Sequence, residues 1–173
     1  MRQVQLRQPG LRDTLTICSI GAQSYPGWPT SLGSETAHGT SESVVDLRRR
    51  VDNALPNGII YMVDVTTRTS RSSPGFVHYA IVRPFVWEVV VATASRFTIR
   101  PPGDLISAIL NTAHRDLHAH RVEFYVPRFR TGIVRLLSET PGIQHEGTQR
   151  SAIRYQSTWQ DVEMFAAVWE ARQ

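Results

Sequence analysis

Glu88 and a pair of histidines are the residues whose type and spacing first suggest chemistry in this sequence of 173 residues. Glu88 lies in an apolar run, residues 86–99, where burial would raise the pKa of a carboxyl group and suit it to accept a proton. The alternative is a carboxylate on the solvent face of a sheet. His114 and His118 stand four residues apart on a predicted helix, but the glutamate of a metal-binding HExxH pattern is missing beside His114. They are better explained as side chains that complement the end of the helix dipole, and no metal site is expected.

Hydrophobic periodicity and turn residues predict the elements that must position such residues. Strands are predicted over residues 12–21, 59–67, 75–82, 86–99, 121–126, 148–155 and 161–169, and helices over 43–55, 105–118 and 131–139. A capping box that begins at Ser43 starts the first helix, and Asp104 is the expected N-cap of the second. Residues 22–41 are rich in Gly, Ser, Thr and Pro, and they predict an extended loop.

The order of these elements predicts the fold class. A strand leads into a helix and returns to a strand within an otherwise antiparallel meander. This order predicts an α/β (α+β) fold, in which a mixed, mostly antiparallel sheet is flanked by helices. A length close to that of an average domain, about 150 residues, favours a single domain over residues 1–173, with the extended loop at 22–41.

The composition narrows the class of partner. All 19 residues counted as Lys or Arg are arginines, and against 15 acidic residues they give a net charge of +4. Codon bias in a GC-rich genome explains this, whereas nucleic-acid binding is disfavoured because the arginines are scattered and no aromatic residues interleave with the run at 48–50. The single Cys18 excludes an internal disulfide, and no apolar stretch reaches the roughly 18 residues of a membrane span. We therefore expect a cytoplasmic protein without a membrane partner.

The C-terminal third carries a pattern that is similar to a known family. Its features are the core Arg135-Leu136-Leu137 of the predicted helix 131–139, the turn Gly142-Ile143, the pair Glu146-Gly147, Arg150 and, at the start of the last strand, Asp161. With these features the sequence resembles the end of the GNAT N-acetyltransferases, in the branch that modifies protein N-termini, including those of ribosomal proteins. The resemblance covers residues 43–171 and implies a GNAT-like domain that uses acetyl-CoA.

The resemblance also implies where the cofactor would bind. In the family, a loop of the form Arg/Gln-x-x-Gly-x-Gly/Ala precedes a helix and binds the pyrophosphate through backbone N–H groups and the helix dipole. The corresponding stretch here runs from Arg100 to Leu105, and Arg100 and Gly103 match. Three departures weaken the site: two prolines remove amide donors, Asp104 brings a negative charge, and Leu105 replaces a small residue. At a desolvated site, the like charge would cost about 1–4 kcal/mol.

The family's catalytic positions differ as well. Alignment on Arg135-Leu136-Leu137 places Arg130 where the family has an asparagine and Ile133 where it has a serine or a tyrosine. Tyr125 on the preceding strand is the substitute that could serve as the acid, although an aromatic residue on a half-buried strand is more often a core residue. Glu88 is the best candidate for the base that deprotonates an acceptor amine.

Two functions follow from these expectations. The first is transfer of an acetyl group from acetyl-CoA to an amine or a protein N-terminus, with weakened activity. The absence of lysine would then prevent acetylation of the protein's own side chains. The second is a GNAT-like protein without catalytic activity that binds protein partners in a large assembly such as a virus particle. The motif departures favour the second function.

Overall fold

The computed structural model describes residues 3–24, 44–55, 57–93, 102–155 and 157–170, which form seven strands and four α-helices. The strands are β1 (Gln3–Arg7), β2 (Gly58–Thr66), β3 (Arg71–Arg83), β4 (Val86–Thr93), β5 (Arg121–Pro127), β6 (Ile143–Tyr155) and β7 (Thr158–Val168). The helices are α1 (Thr14–Ser24), α2 (Val44–Ala54), α3 (Pro102–Arg115) and α4 (Thr131–Glu139), and a 3₁₀ turn over Leu11–Asp13 precedes α1.

The seven strands belong to a mixed sheet with the order β1-β2-β3-β4-β5-β7-β6. β4 and β5 pair in parallel, whereas β1 with β2, β2 with β3, β5 with β7 and β6 with β7 pair antiparallel. A parallel pair needs a long crossover connection, which α3 supplies between β4 and β5. The predicted α+β fold with a mixed, mostly antiparallel sheet is therefore confirmed.

Contacts divide the chain into two compact units. The N-terminal unit comprises Met1–Ala80 and Val90–Arg100. Its core is apolar and draws on helices and strands alike: it contains Ile17, Cys18, Ile20, Val51, Ile60, Met62, Phe76 and Ala92. The long buried run of β2 explains why this strand lacks the alternation of polar and apolar residues that an exposed strand would show.

The C-terminal unit comprises Ile81–Val89 and Pro101–Gln173. α3 buries one face at helical spacing, with Leu105, Ile106, Ile109 and Ala113 almost inaccessible to solvent. β5 lies between β4 and β7 in the sheet and is buried at Val122, Phe124 and Val126. The prediction of one domain over residues 1–173 stays a prediction.

The predicted strand over residues 12–21 is wrong, because this segment forms the 3₁₀ turn and most of α1. Its β-branched residues favour a strand, but its buried positions recur at intervals of three and four residues, which is helical spacing. These positions are Thr14, Ile17, Cys18 and Gly21, and Ile20 beside them is buried as well. A start signal was also present: the Asp13 carboxylate accepts a hydrogen bond of 2.7 Å from the backbone N–H of Gly10. Burial of this face outweighs the local strand preference.

Other boundaries differ from the predictions. β1 was not predicted, β3 begins at Arg71 and β6 begins at Ile143. α3 begins at Pro102 rather than at residue 105, because the fixed φ of proline suits the first helical position, and it ends at Arg115 rather than at 118. Asp104 therefore lies inside the first turn and is not the N-cap. Most of the loop predicted at 22–41 and the end of the strand predicted at 86–99 lie outside the described residues.

Among the described helices, none is long and apolar enough to cross a membrane.

Candidate active site

The parallel pairing of β4 and β5 brings two glutamates together. In the register of the pair, Val86 lies opposite Arg121, and Glu88 lies opposite Glu123. Residues that are partners in the register point to the same face of a sheet, and alternate residues of β5 share a face. Glu88, Glu123 and Tyr125 therefore lie on one face of this strand pair.

Glu123 is the centre of a network of hydrogen bonds and ion pairs. Its side chain is buried, and it accepts a hydrogen bond of 2.9 Å from the Tyr125 hydroxyl and one of 2.7 Å from Nε of Arg121. Arg121 also binds Glu146 through both of its terminal nitrogens. Arg83 lies 3.9 Å from the Glu123 carboxylate. The charge of Glu123 is thus balanced by arginines, which allows its burial.

Glu88 differs from Glu123 because it is half-buried and because burial raises its pKa above the ordinary value for glutamate. The negative charge of Glu123 raises this pKa further. Because the Glu88 side chain is half accessible, the interpretation as a carboxylate on the solvent face of the sheet stays open beside the catalytic one. A carboxylate with a raised pKa is a stronger base than an exposed one, as general base catalysis requires.

Tyr125 is a neighbour of both carboxylates. Burial raises the pKa of its hydroxyl to about 12, together with its hydrogen bond to Glu123 and the charges of Glu123 and Glu88. Its side chain is 37% exposed, so Tyr125 is not the core residue that its strand position favours. The hydroxyl remains protonated at neutral pH and acts as a hydrogen-bond donor. Full transfer of its proton to a thiolate is unfavourable, because an ordinary thiol has a pKa of about 8.5.

The first turn of α3 carries the predicted cofactor residues that the structure describes, whereas Arg100 lies outside the described residues. Gly103 borders open space, since a Cβ atom added there would meet no other atom within 4 Å. The side chain of Asp104 is exposed, and that of Leu105 is buried, so Leu105 does not occupy the space in front of the helix terminus. The backbone N–H groups of a first helical turn have no acceptor within the helix. Gly103 and Asp104 therefore offer amides that fit an anion, while Pro102 offers none and the Asp104 carboxylate opposes it.

The alignment on Arg135-Leu136-Leu137, which stays a prediction, assigns Arg130 and Ile133 to positions where the GNAT family has polar residues. Arg130 lies at the N-terminal boundary of α4 with its guanidinium 5.6 Å from the centre of the Phe129 ring. Ile133 is 46% exposed on the same helix. Neither side chain offers the hydroxyl or the amide that the family places there.

A groove in the N-terminal unit has a volume of about 360 Å³. Its lining includes Gln8, Arg48, Asp52 and Leu55 but none of the predicted site residues. The support for the candidate active site is therefore the chemistry of its side chains, because the groove lies elsewhere in the chain.

Sequence inspection missed Glu123, Arg121 and Glu146 as site residues. The first two were detectable, because Arg121, Glu123 and Tyr125 alternate along a predicted strand and must share a face. Glu146 was not detectable in this role. Its contact with Arg121 spans 25 positions of the sequence and depends on how β6 lies in the sheet.

No protein-family model matches the sequence, and the search of curated proteins found no match. Solved structures do match. A spermidine N-acetyltransferase from Vibrio cholerae in complex with CoA and spermine has a TM-score of 0.71 and 17% identity, over 96% of this chain and 95% of that one. The spermidine/spermine N-acetyltransferase from the same organism in complex with manganese ions gives 0.70 and 18%, over 96% and 92% of the two chains. A chimera of the Vibrio cholerae enzyme and hSSAT gives 0.68 and 18%, over 96% and 95%. At this level of identity, these similarities show the fold.

Proposed function

Because this chain has the fold of the GNAT acetyltransferases, we propose that it transfers an acetyl group from acetyl-CoA to an amine. The observation that carries the proposal is the pairing of Glu88 and Glu123 across the parallel strands β4 and β5, with Tyr125 beside them. This arrangement offers a base of raised pKa next to a hydrogen-bond donor. These are the two groups that acyl transfer from a thioester to an amine requires.

Each residue of the site has a distinct role in this proposal. Bound acetyl-CoA supplies a thioester carbonyl that the amine nitrogen can attack and a thiolate that can leave. Glu88 accepts the proton that the amine loses, and the sulfur leaves as a thiolate that takes its proton from solvent. The single hydroxyl proton of Tyr125 is donated to Glu123 at rest and turns to the thiolate as the sulfur leaves. Arg121 and Arg83 form ion pairs with Glu123, and Glu123 in turn accepts the hydrogen bond that orients Tyr125. The N-terminal amides of α3, at Gly103 and Asp104, bind the pyrophosphate.

The acidic residues favour a cationic acceptor. Glu123 and Glu146 both pair with Arg121, whereas among the described residues no cation forms an ion pair with Glu88, so the deprotonated Glu88 carboxylate is the group that would bind an ammonium ion. The Vibrio cholerae enzyme with the same fold forms a complex with spermine, which is a polyamine. We therefore propose an alkyl amine of the polyamine class as the first acceptor to test. A protein N-terminus, which the sequence resemblance favoured, is the second.

The experiment is an acetyl transfer assay with the purified chain, acetyl-CoA and either spermidine or a short peptide with a free N-terminus. Release of the CoA thiol and the mass of the acetylated product are measured together. The proposal predicts thiol release that depends on the acceptor, faster with spermidine than with the peptide. Thiol release at the rate of spontaneous hydrolysis with both acceptors would contradict it.

An inactive GNAT-fold protein remains the second candidate function. The observation that favours it is the exposed carboxylate of Asp104 in the first turn of α3, at the terminus that would bind the pyrophosphate. The similar structures that we report are acetyltransferases, and they give no support to a component of a virus particle. A chain that folds but does not bind acetyl-CoA would favour this second function.

A further inference from the structure

Exposed aromatic side chains lie beside arginines where the loop between β5 and α4 meets the end of the β6–β7 hairpin. Phe129 is 37% exposed, Tyr155 is 44% exposed and Trp159 is 62% exposed. We use the name basic–aromatic surface for Arg128, Phe129, Arg130, Arg150, Arg154, Tyr155 and Trp159. All seven residues belong to the C-terminal unit. None of them takes part in the candidate active site.

Direct contacts connect the two segments. The rings of Phe129 and Tyr155 stack with their centres 4.5 Å apart and their planes 26° from parallel. The guanidinium of Arg130 lies 5.6 Å from the centre of the Phe129 ring. On the hairpin, Arg154 is the register partner of Trp159, and the two side chains therefore share a face, whereas the next residue, Tyr155, points to the other face. The basic–aromatic surface therefore wraps around the end of the hairpin. A hydrogen bond of 2.9 Å from the backbone N–H of Arg128 to the carbonyl of Asp161 fastens the loop to β7.

The charge of this surface is positive. Arg128 pairs with Asp161 at 3.5 Å and with Glu163 at 3.4 Å. Within the described part of the chain, no carboxylate forms an ion pair with Arg130, Arg150 or Arg154. The four arginines therefore exceed the two nearby carboxylates, which leaves a net charge of +2.

A bulge in β6 displays one of these arginines. The register with β7 is interrupted between Gln149 and Ile153. Ser151 adopts a φ of 48°, and its backbone N–H donates a hydrogen bond of 2.9 Å to the Asp161 carboxylate. This bond fixes the irregular backbone next to Arg150. Arg150 therefore lies exposed on β6, at the edge of the sheet, and has no register partner on β7.

We propose that the basic–aromatic surface binds single-stranded nucleic acid. Guanidinium groups match phosphate oxygens, and exposed aromatic rings stack on unpaired bases of any sequence. The partner must carry the opposite charge, which disfavours a second copy of this chain because it would bring a like-charged surface. Along the sequence the arginines are scattered, and the fold gathers them beside the aromatic residues. This activity is separate from the proposed acetyl transfer.

The test is the fluorescence anisotropy of a labelled oligothymidylate of about 16 nucleotides, titrated with the full chain at several salt concentrations. The proposal predicts binding that weakens as salt increases. A plot of the logarithm of the binding constant against the logarithm of the salt concentration should have a slope of about −0.7 for each phosphate contact.

The double variant Arg150→Gln/Arg154→Gln should lower the magnitude of that slope by about 1.4. Trp159→Leu should weaken binding about tenfold at constant salt, because a stacking platform is lost.

The matched control is Arg68→Gln, which removes one exposed arginine from the turn between β2 and β3. It should leave the salt slope unchanged. Circular dichroism should show the same unfolding temperature for all variants, because every substituted side chain is exposed. Three outcomes would overturn the proposal: no anisotropy change at low salt, an equal loss in the control, or loss of self-association in the surface variants without loss of oligonucleotide binding. The last outcome would assign the surface to a protein interface.

Discussion

Glu88 and Glu123 are identical residues at partner positions of two adjacent strands, yet their surroundings give them different chemistry. Arginines pair with Glu123, whereas burial raises the pKa of Glu88 and the neighbouring carboxylate raises it further. A pair of carboxyl groups separated in this way commonly divides the work of a site between a fixed charge and a proton acceptor. Glu88 is the proton acceptor in our account.

The first prediction concerns the pH dependence of kcat/KM for acetyl transfer. Glu88 acts only when it is deprotonated, so the rate should fall as the pH drops through its raised pKa. Glu123→Gln removes one of the two causes of that rise, and the acidic limb of the profile should move to lower pH. Glu88→Gln should lower kcat by about 10²- to 10⁴-fold over the whole range.

The control for both variants is Glu139→Gln, which alters an exposed carboxylate of α4 that pairs with Arg135. It should leave the profile unchanged. An acidic limb that stays in place or moves to higher pH in Glu123→Gln would show that Glu88 is not the titrating base.

The second prediction concerns Tyr125. Tyr125→Phe removes the hydroxyl beside the two carboxylates and should lower kcat about 10- to 100-fold, which is the usual effect of losing one hydrogen bond to a charged group. Tyr155→Phe is the matched control, because Tyr155 contacts Phe129 through its ring, which phenylalanine retains. Steady-state kinetics of both variants provide the measurement. Equal rates in the two variants would exclude the Tyr125 hydroxyl from the reaction.

At the scale of elements, sequence patterns succeed where local preference and burial agree. Residues 121–126 are strongly β-prone and also largely buried, and they form most of β5. α4 has the predicted bounds because its apolar spacing and the following Pro141-Gly142 agree. The strand predicted over residues 12–21 is wrong because their β-branched side chains favour a strand while their buried positions follow the spacing of helix α1. Local sequence patterns could not predict the pairing of Glu88 with Glu123 either, because it depends on the parallel register of β4 and β5.

The third prediction belongs to α3. Asp104 in its first turn stabilises the helix by about 0.3–1 kcal/mol through the helix dipole, but it repels a phosphate bound at the same terminus. Asp104→Asn should therefore lower the unfolding temperature slightly and improve CoA affinity about fivefold, which corresponds to about 1 kcal/mol of like-charge repulsion. Asp116→Asn, just beyond the end of α3, should leave the affinity unchanged. Equal affinities for wild type and Asp104→Asn would show that the carboxylate does not face the phosphates.

The fourth prediction concerns the strands of the N-terminal unit. Asp64 of β2 is buried and accepts hydrogen bonds from Arg7 of β1 and from Arg71 and Ser73 of β3. Burial alone would raise the pKa of Asp64, but these hydrogen bonds outweigh it and hold the pKa below the ordinary value. Asp64→Asn should lower the free energy of unfolding by about 1–3 kcal/mol at neutral pH.

The difference in the free energy of unfolding between the wild type and Asp64→Asn should become smaller as the pH falls. Because the folded pKa is lower than the unfolded one, the contribution of Asp64 is fully present above the unfolded pKa, about 3.9, and is lost as the pH falls towards the folded pKa. Denaturant titrations at several pH values provide the measurement. Asp52→Asn, which breaks an exposed pair with Arg48 within α2, should cost less than about 0.5 kcal/mol. Similar losses in the two variants would contradict the role of the Asp64 network.

At the scale of the whole molecule, fold and function rest on different kinds of support. Similarity over 96% of the chain at 17% identity establishes the architecture, while activity depends on a few side chains that vary among proteins of one fold. The fold also shows where several of the arginines lie. Codon bias stays our interpretation of the missing lysines, and the fold places four arginines beside exposed aromatic rings near one end of a hairpin.

The most direct test of the central claim is isothermal titration calorimetry of the full chain with acetyl-CoA. Our account predicts saturable binding to one site with a Kd in the micromolar range, because the amides of the first turn of α3 fit an anion despite the charge of Asp104. The absence of any heat of binding at millimolar acetyl-CoA, from a chain that circular dichroism shows to be folded, would contradict it.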